Sequence, residues 1–194
     1  MPKRVDSAVA RRDIARAACR AIAERGLTRV RMVDIAKAAG VTTGMITNYF
    51  DGKEAIIAAA LRVPFENIRL RIEERIEGGE TDLAELLEPA IPVTKAQAEE
   101  TAVWVSFWGL AATDESLRPL NARLHGEGAE IFAEAIRTAW PETRSWPRDR
   151  FEHLRVAIAT FVFGLSAAGV TSPAVWTPYV QREQLRAFLE MSRS

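Results

Sequence analysis

The 194-residue chain holds one cysteine and two histidines, and its longest wholly apolar run is too short to cross a membrane. Each shortage removes a class of chemistry. Cys19 alone closes no intramolecular disulfide and anchors no cysteine-based zinc cluster. Its spacing from Ala15 and Ile22 puts it on the inner side of a helix, as a packed thiol. His125 and His153 stand in neither an EXXH nor an HEXXH arrangement. His125, within LHGEG, reads as part of a surface turn, and the pair Glu152-His153 as a solvated first helical turn. There is no phosphate-cradling glycine loop and no Ser-His-Asp set. The sequence therefore offers no catalytic residue, no metal ligand and no cofactor site.

The amino terminus, MPKRVDSAVARRD, moves from basic to mixed polar without the apolar segment of a secretory signal. The run VAIATFVFGLSAAGV at 156–170 would extend roughly 22 Å as a helix, against a hydrocarbon core of about 30 Å. It is expected to be a buried helix, in a cytoplasmic protein that meets no membrane.

A formal charge of zero conceals an uneven distribution. Residues 1–53 carry eleven Lys or Arg against five acids, so the rest of the chain is net acidic. A basic end of this kind faces a polyanion.

No stretch alternates with the two-residue period of a strand, and the chain is expected to be all-α. Ile14, Ala17, Ala18, Ala21 and Ile22 recur at helical spacing from Ser7 to Arg25, and Gly26 stops that helix. A short second helix covers about 33–39, with Ile35, Ala36 and Ala39 inward and Gly40 in the left-handed turn position. Thr42 stands at the N-cap of a third helix ending near Phe50. A fourth, at about 52–77, is bent near Pro64. Further helices are expected at about 95–112, 115–139, 148–170 and 178–191. This divides the chain into residues 1–53 and a larger helical part, 54–194.

Two short helices joined by a glycine-containing turn form the helix-turn-helix layout, whose second helix enters the DNA major groove. The stretch AGVTTGMITNYFDGK at 39–53 suits that task. A helix among base edges needs short side chains that both donate and accept, and Thr and Asn supply them. Gly44 allows close approach to the sugar-phosphate backbone, Tyr49 has a hydroxyl for a phosphate, and Lys53 opens the next helix with a positive charge.

The segments AACRAIAERGL, DIAKAAGVTTGMITNYF and DGKEAIIAAAL resemble the amino-terminal domain of the TetR family of transcriptional regulators, over about residues 8–62. The resemblance implies an N-terminal three-helix DNA-binding domain followed by a larger ligand-binding and dimerisation domain. Thr42, Thr43 and Gly44 would begin the recognition helix, Thr47 and Asn48 would face the groove, and Tyr49 and Lys53 would meet phosphates. Arg31 stands where many relatives have a threonine, which removes a cap and offers a phosphate contact instead. The Thr47 form with Tyr-Phe following, and the segment WVSFWGLAATDESLRPLNARLHGEGAEIF, are similar to the subgroup of choline-responsive repressors of betaine synthesis.

In the larger part, residues 151–170 are apolar on nearly every side, and such a helix must be covered on both. The resemblance implies that the last two helices pair with those of a second copy, giving the two-fold symmetry of an inverted-repeat operator on double-stranded DNA. Leu154, Ile158, Phe161, Leu165, Leu185 and Phe188 are the expected interface. Trp104, Phe107, Trp108, Phe132 and Phe161 are the expected walls of an effector pocket, in which tryptophan faces suit a quaternary ammonium. Glu99, Glu100 or Asp114 would add the countercharge. The competing reading is a helical scaffold, or a small-molecule-binding protein without operator specificity.

Overall fold

The computed structural model describes residues 2–193, and side chains from Ser7 onward. The basic side chains of Lys3 and Arg4 therefore lie outside the described residues. Among the described residues, ten α-helices and three short 3-10 turns account for the regular structure.

The first helix, α1 (Pro2–Arg25), starts before the expected Ser7, and Gly26 ends it at a φ of 82°. Then come α2 (Met32–Ala39) and α3 (Thr43–Thr47), with Gly40 between them at a φ of 68°, in the left-handed region where a β-carbon is disfavoured. The Thr42 hydroxyl accepts from the Met45 amide at 3.2 Å, the cap expected of it. α3 ends at Thr47, three residues before the expected Phe50. Tyr49 and Phe50 instead fold back on the Ile46 carbonyl.

The expected helix at 52–77 is two helices, α4 (Gly52–Ala60) and α5 (Val63–Glu77), parted at Leu61-Arg62. Pro64 sits in the first turn of α5, where its missing N–H costs nothing, so the break precedes it. The larger part continues with α6 (Leu83–Leu87), α7 (Lys95–Thr113), α8 (Arg118–Ala139), α9 (Arg148–Thr171) and α10 (Pro178–Arg193). α7 opens on a reciprocal cap in which the Thr94 hydroxyl and the Gln97 side chain each accept from the other's amide.

Two apolar cores form. The first joins Ile14, Ala18 and Ile22 of α1 to Ile35, Ile46, Phe50 and Ile56, and continues into Val103, Trp104 and Phe107 of α7. It does not stop at residue 53, because α1 leans directly on α7. Cys19 belongs to this core, and burial first, with the nearby Glu100 charge, pushes its thiol pKa up to about 12. The second core packs α6, α8, α9 and α10 around Leu86, Ile136, Ile158, Val162 and Leu185. Glu88 lies between the two arginines Arg75 and Arg182. Burial alone would raise its carboxyl pKa, but their hydrogen bonds hold it below the usual range.

The helix that holds this run is longer than the run itself, 24 residues in all, and among the described residues α9 is the one helix long and apolar enough, by length and composition, to cross a membrane. Here it is a core helix. Phe151, Ile158, Val162 and Leu165 are buried against the rest of the fold, and the Ser166 hydroxyl donates to the Ala90 carbonyl at 2.8 Å.

Candidate DNA-reading face and effector cavity

The outer face of α3 is built by its inner one. Ile46 is fully buried and Phe50 nearly so, which fixes the helix against α1 and α2. Thr42, Thr43, Gly44, Met45, Thr47 and Asn48 are left facing outward. The Thr47 hydroxyl donates to the Gly44 carbonyl at 2.8 Å, leaving its oxygen free to accept. Gly44 has open space where a β-carbon would go, with only the Thr42 hydroxyl oxygen at 4.0 Å. Nothing inside the fold requires a glycine there.

Tyr49 is half-buried against the first core, and Lys53 lies in the first turn of α4. Two contributors escaped the sequence reading. Met45, 43% exposed, adds an apolar group to the outer face. Arg11 of α1 donates to the Tyr49 carbonyl and lies over the Phe50 ring at 4.5 Å, clamping the turn behind α3. No signal in the local pattern marks Arg11, since its partner is thirty-eight residues away.

Arg31 does not leave the start of α2 uncapped. Its amide donates to the Asp34 carboxylate at 3.0 Å, so the acid at the third helical position supplies half of a capping box. That amide first, then the Arg31 side chain, holds the Asp34 carboxyl below its usual range. Arg25 pairs with the other oxygen at 3.3 Å. The Arg31 side chain stays 72% exposed.

In the larger part an aromatic cluster spans α5, α7, α8 and α9. Trp104 and Trp108, one turn apart, lie 6.0 Å between centroids, and Phe65 meets Trp104 edge-on at 4.0 Å. Around them is a cavity of about 30 Å³, room for one or two waters. Trp104, Trp108 and Phe132 line it as expected, and Glu100 closes one side. Phe107 and Phe161 do not. Phe107 turns into the first core, whereas Phe161 points to the far side of α9 and stacks on Phe188 at 4.0 Å. Phe163, two residues on and so on another face of the helix, takes that place, with Phe65 as the further wall.

His125 is not in a surface turn. It lies within α8, stacked on Trp108 at 5.0 Å and edge-on to Phe163 at 5.1 Å, and burial lowers its pKa below the usual 6.5. Of the three acids offered as countercharge, Glu100 alone reaches the cavity. It accepts from Arg71 at 2.8 and 3.0 Å and from Asn67 at 2.7 Å. Glu99 is exposed beside Lys95, and Asp114 caps the turn after α7 by accepting from Ser116. Glu100 also borders an open groove of about 400 Å³ between α1 and α7, where Arg16, Arg20 and Glu24 lie.

The faces of α9 and α10 divide differently from the sequence expectation. Ile158, Leu165 and Leu185 are buried inside the chain and so are spent on its own core. Leu154, Phe161 and Phe188 are half-buried at its edge. Exposed on α9 are Val156, Ala157, Thr160 and Gly164, and on α10 Ala187 and Met191.

Comparison with known proteins agrees with this arrangement at both ends. Residues 14–60 match the model for bacterial regulatory proteins of the tetR family, and residues 79–193 that for the BetI-type transcriptional repressor C-terminal domain. The regulator BetI of Burkholderia ambifaria is 24% identical over 177 residues, 87% of this chain and 86% of that protein. The regulator PksA of Bacillus subtilis is 30% identical over 114 residues, and that match spans 57% of this chain and 56% of PksA. Among solved structures, a TetR-family regulator from Rhodococcus sp. superposes with a TM-score of 0.81 at 26% identity, covering 96% of this chain and all of that one. A regulator from Saccharomonospora viridis, solved in complex with choline, superposes with a TM-score of 0.69 at 26% identity, covering 94% and 96%.

Proposed function

The chain belongs to the TetR family of DNA-binding transcriptional regulators, which are not enzymes, and within it we propose a repressor that holds an inverted-repeat operator as a homodimer and releases it on binding a small organic effector. The observation that carries this reading is the outer face of α3. It presents short, neutral, hydrogen-bonding side chains on the basic end of the molecule, where a solvated helix would carry charge. In this reading Thr43, Thr47 and Asn48 meet base edges, Met45 a thymine methyl, and Gly44 the sugar-phosphate backbone. Thr42, Tyr49, Lys53 and Arg31 position the domain on phosphates. Residues 1–53 do the reading and 54–194 the sensing and pairing, in the cytoplasm and away from membranes.

The dimer seam in this proposal is the exposed side of α9 and α10. Ala157, Thr160 and Gly164 let two copies of α9 approach closely, and the Phe161-Phe188 stack lies at the edge. Pairing two copies would set the recognition helices one helical turn of DNA apart.

The effector in this proposal is a quaternary ammonium compound bound among Trp104, Trp108 and Phe163 with Glu100 as countercharge. The choline complex of the relative from S. viridis supports that class. A space of about 30 Å³ cannot take such a molecule unless the walls part. Phe65 is the wall next to the α4–α5 break, and Arg62 at that break pairs with Glu127 of α8 at 2.8 Å. An effector that moves Phe65 therefore strains the link to the DNA-reading helices, and its affinity difference between the two arrangements sets the response.

The experiment is a titration of the purified protein against DNA fragments flanking its own gene and against random duplexes, with and without choline. Saturable, sequence-dependent binding by a dimer, weakened by choline, is expected. Equal affinity for every duplex would leave the scaffold or binding-protein reading instead.

A further inference from the structure

We infer that the open groove between α1 and α7 is a second small-molecule site, which takes a dipolar molecule with a carboxylate at one end and a primary ammonium at the other. It is separate from the aromatic cavity and does not depend on the effector reading above. About 400 Å³ of open space lies there, against about 30 Å³ in the aromatic cavity, so a molecule of amino-acid size enters without parting the walls. The α1 side carries Arg16 and Arg20, one helical turn apart and so on one face, with Glu24 a turn further on. The α7 side carries Glu99 and Glu100. Among the described residues no ion pair and no side-chain hydrogen bond joins α1 to α7, although arginines on one side face carboxylates on the other.

Arg16 is half-buried and meets no acceptor among the described residues, and Arg20 has only the Ala38 carbonyl at 3.4 Å. A guanidinium is shaped to hold a carboxylate by two parallel bonds. Glu99 meets only the exposed Lys95, at 3.9 Å and beyond hydrogen-bond length, while Arg71 and Asn67 hold Glu100 in place. These charges decide the class of ligand. A simple anion drawn to the arginines is repelled by Glu24, Glu99 and Glu100, and a simple cation is opposed by the arginines. A molecule with both ends suits both walls. Its cationic end must donate hydrogen bonds, because carboxylates only accept, and a quaternary nitrogen has none to give. Ala23, Val63 and Ala96 add an apolar lining for the carbon chain between the two ends. Because α1 belongs to the DNA-reading part and α7 carries Trp104 and Trp108, an occupant ties the two parts together.

The test is a set of nuclear magnetic resonance titrations of the full ¹³C,¹⁵N-labelled chain. They follow the Ala23 and Ala96 methyl groups and the Asn67 side-chain amide in the groove, and the Trp104 and Trp108 indoles in the cavity. The probes are 4-aminobutyrate, its two halves butyrate and butylammonium, trimethylglycine and inorganic phosphate, with glycine and 6-aminohexanoate bracketing the length. At least one of the three amino carboxylates should move the groove signals saturably, and the indoles less. It should bind about tenfold tighter than any other probe, since each of those lacks the charge-assisted bonds of one end. Arg16→Gln and Glu99→Gln remove one wall's charge at positions outside the cores, and each should weaken that binding about tenfold. The comparison among probes in the unaltered protein stands even where a variant folds poorly. Butyrate or phosphate binding as tightly would reduce the groove to a plain anion site, and equal affinity for trimethylglycine would remove the ammonium donors; either overturns the proposal. A response confined to the indoles would put the molecule in the aromatic cavity instead. Groove signals that no probe moves saturably would mean that these charges serve only water.

Discussion

A β-carbon placed on Gly128 would lie 2.5 Å from the Phe65 ring, so the absence of a side chain on α8 is what lets the start of α5 close against it. The same ring abuts Trp104, which belongs both to the cavity wall and to the core shared with α1. Gly128→Ala must displace Phe65. Overpacking of this kind costs about 1–3 kcal/mol, read by denaturant unfolding. Phe65→Leu in the same chain should recover much of the loss, which a double-mutant cycle would record as coupling. Additive effects would mean that the ring gives way freely and transmits nothing.

The dimer proposal separates two kinds of α9 position. Gly164 is exposed, with nothing within 4 Å of where its β-carbon would go, so the fold of one copy accepts a side chain there. Gly164→Arg should yield a folded monomer by sedimentation and circular dichroism. Ile158→Arg, at a fully buried position, should unfold the larger part, since an unpaired charge in an apolar core is among the costliest changes. A dimer that persists in Gly164→Arg would place the seam elsewhere.

His125 gives the aromatic cluster a pH dependence of calculable sign. Burial holds its folded pKa below 6.5, so between that lowered value and 6.5 the unfolded chain binds more proton. Stability is complete above about pH 6.5 and declines as pH falls toward the folded pKa. His125→Phe should flatten this part of the profile, measured as unfolding midpoints from pH 8 to pH 5. The carboxylates contribute to both proteins alike, so the difference between the two curves isolates the imidazole.

Local chemistry was the legible part of the sequence. Gly40 and Thr42 announce their turn and cap within a few residues, and the 3.6-residue period marks Ile22 and Ile35 as inner positions. What depends on distant partners was not legible. Phe161 and Phe163 are equally aromatic in sequence, and only the rotation of α9 against α8 decides which of them enters the cavity. His125 is followed by two glycines, Gly126 and Gly128, which read as a turn. Those glycines instead serve packing or leave space, as Gly128 does for Phe65. The apolar character of α9 foretold a buried face, which the stripe of Phe151, Ile158, Val162 and Leu165 supplies, while cover for the opposite face belongs to the dimer proposal. It could not say that Ile158 and Leu165 are used inside the chain, while the small residues Ala157 and Gly164 remain outside.

Gly44 supplies the sharpest test of the reading helix, because the fold itself makes no use of its missing side chain. Gly44→Ala should fold at least as well as the parent, since alanine is favoured over glycine within a helix by about 1 kcal/mol. Operator affinity should nevertheless fall, if the helix start lies against the DNA backbone. Asn48→Ala removes a side chain that could read a base, and should cost roughly 1–3 kcal/mol and relax preference at one operator position. Lys53→Ala should instead weaken binding to operator and random duplexes alike, and lower the salt slope by about one unit. Thr42→Ala is the less informative change, because it also removes the cap on the Met45 amide and lowers helix stability by about 1 kcal/mol. The measurement is binding to both duplexes at several salt concentrations, with thermal unfolding of each variant alongside. If Gly44→Ala binds operator as tightly as the parent, α3 does not approach the backbone at its first turn, and the docking proposed here is wrong.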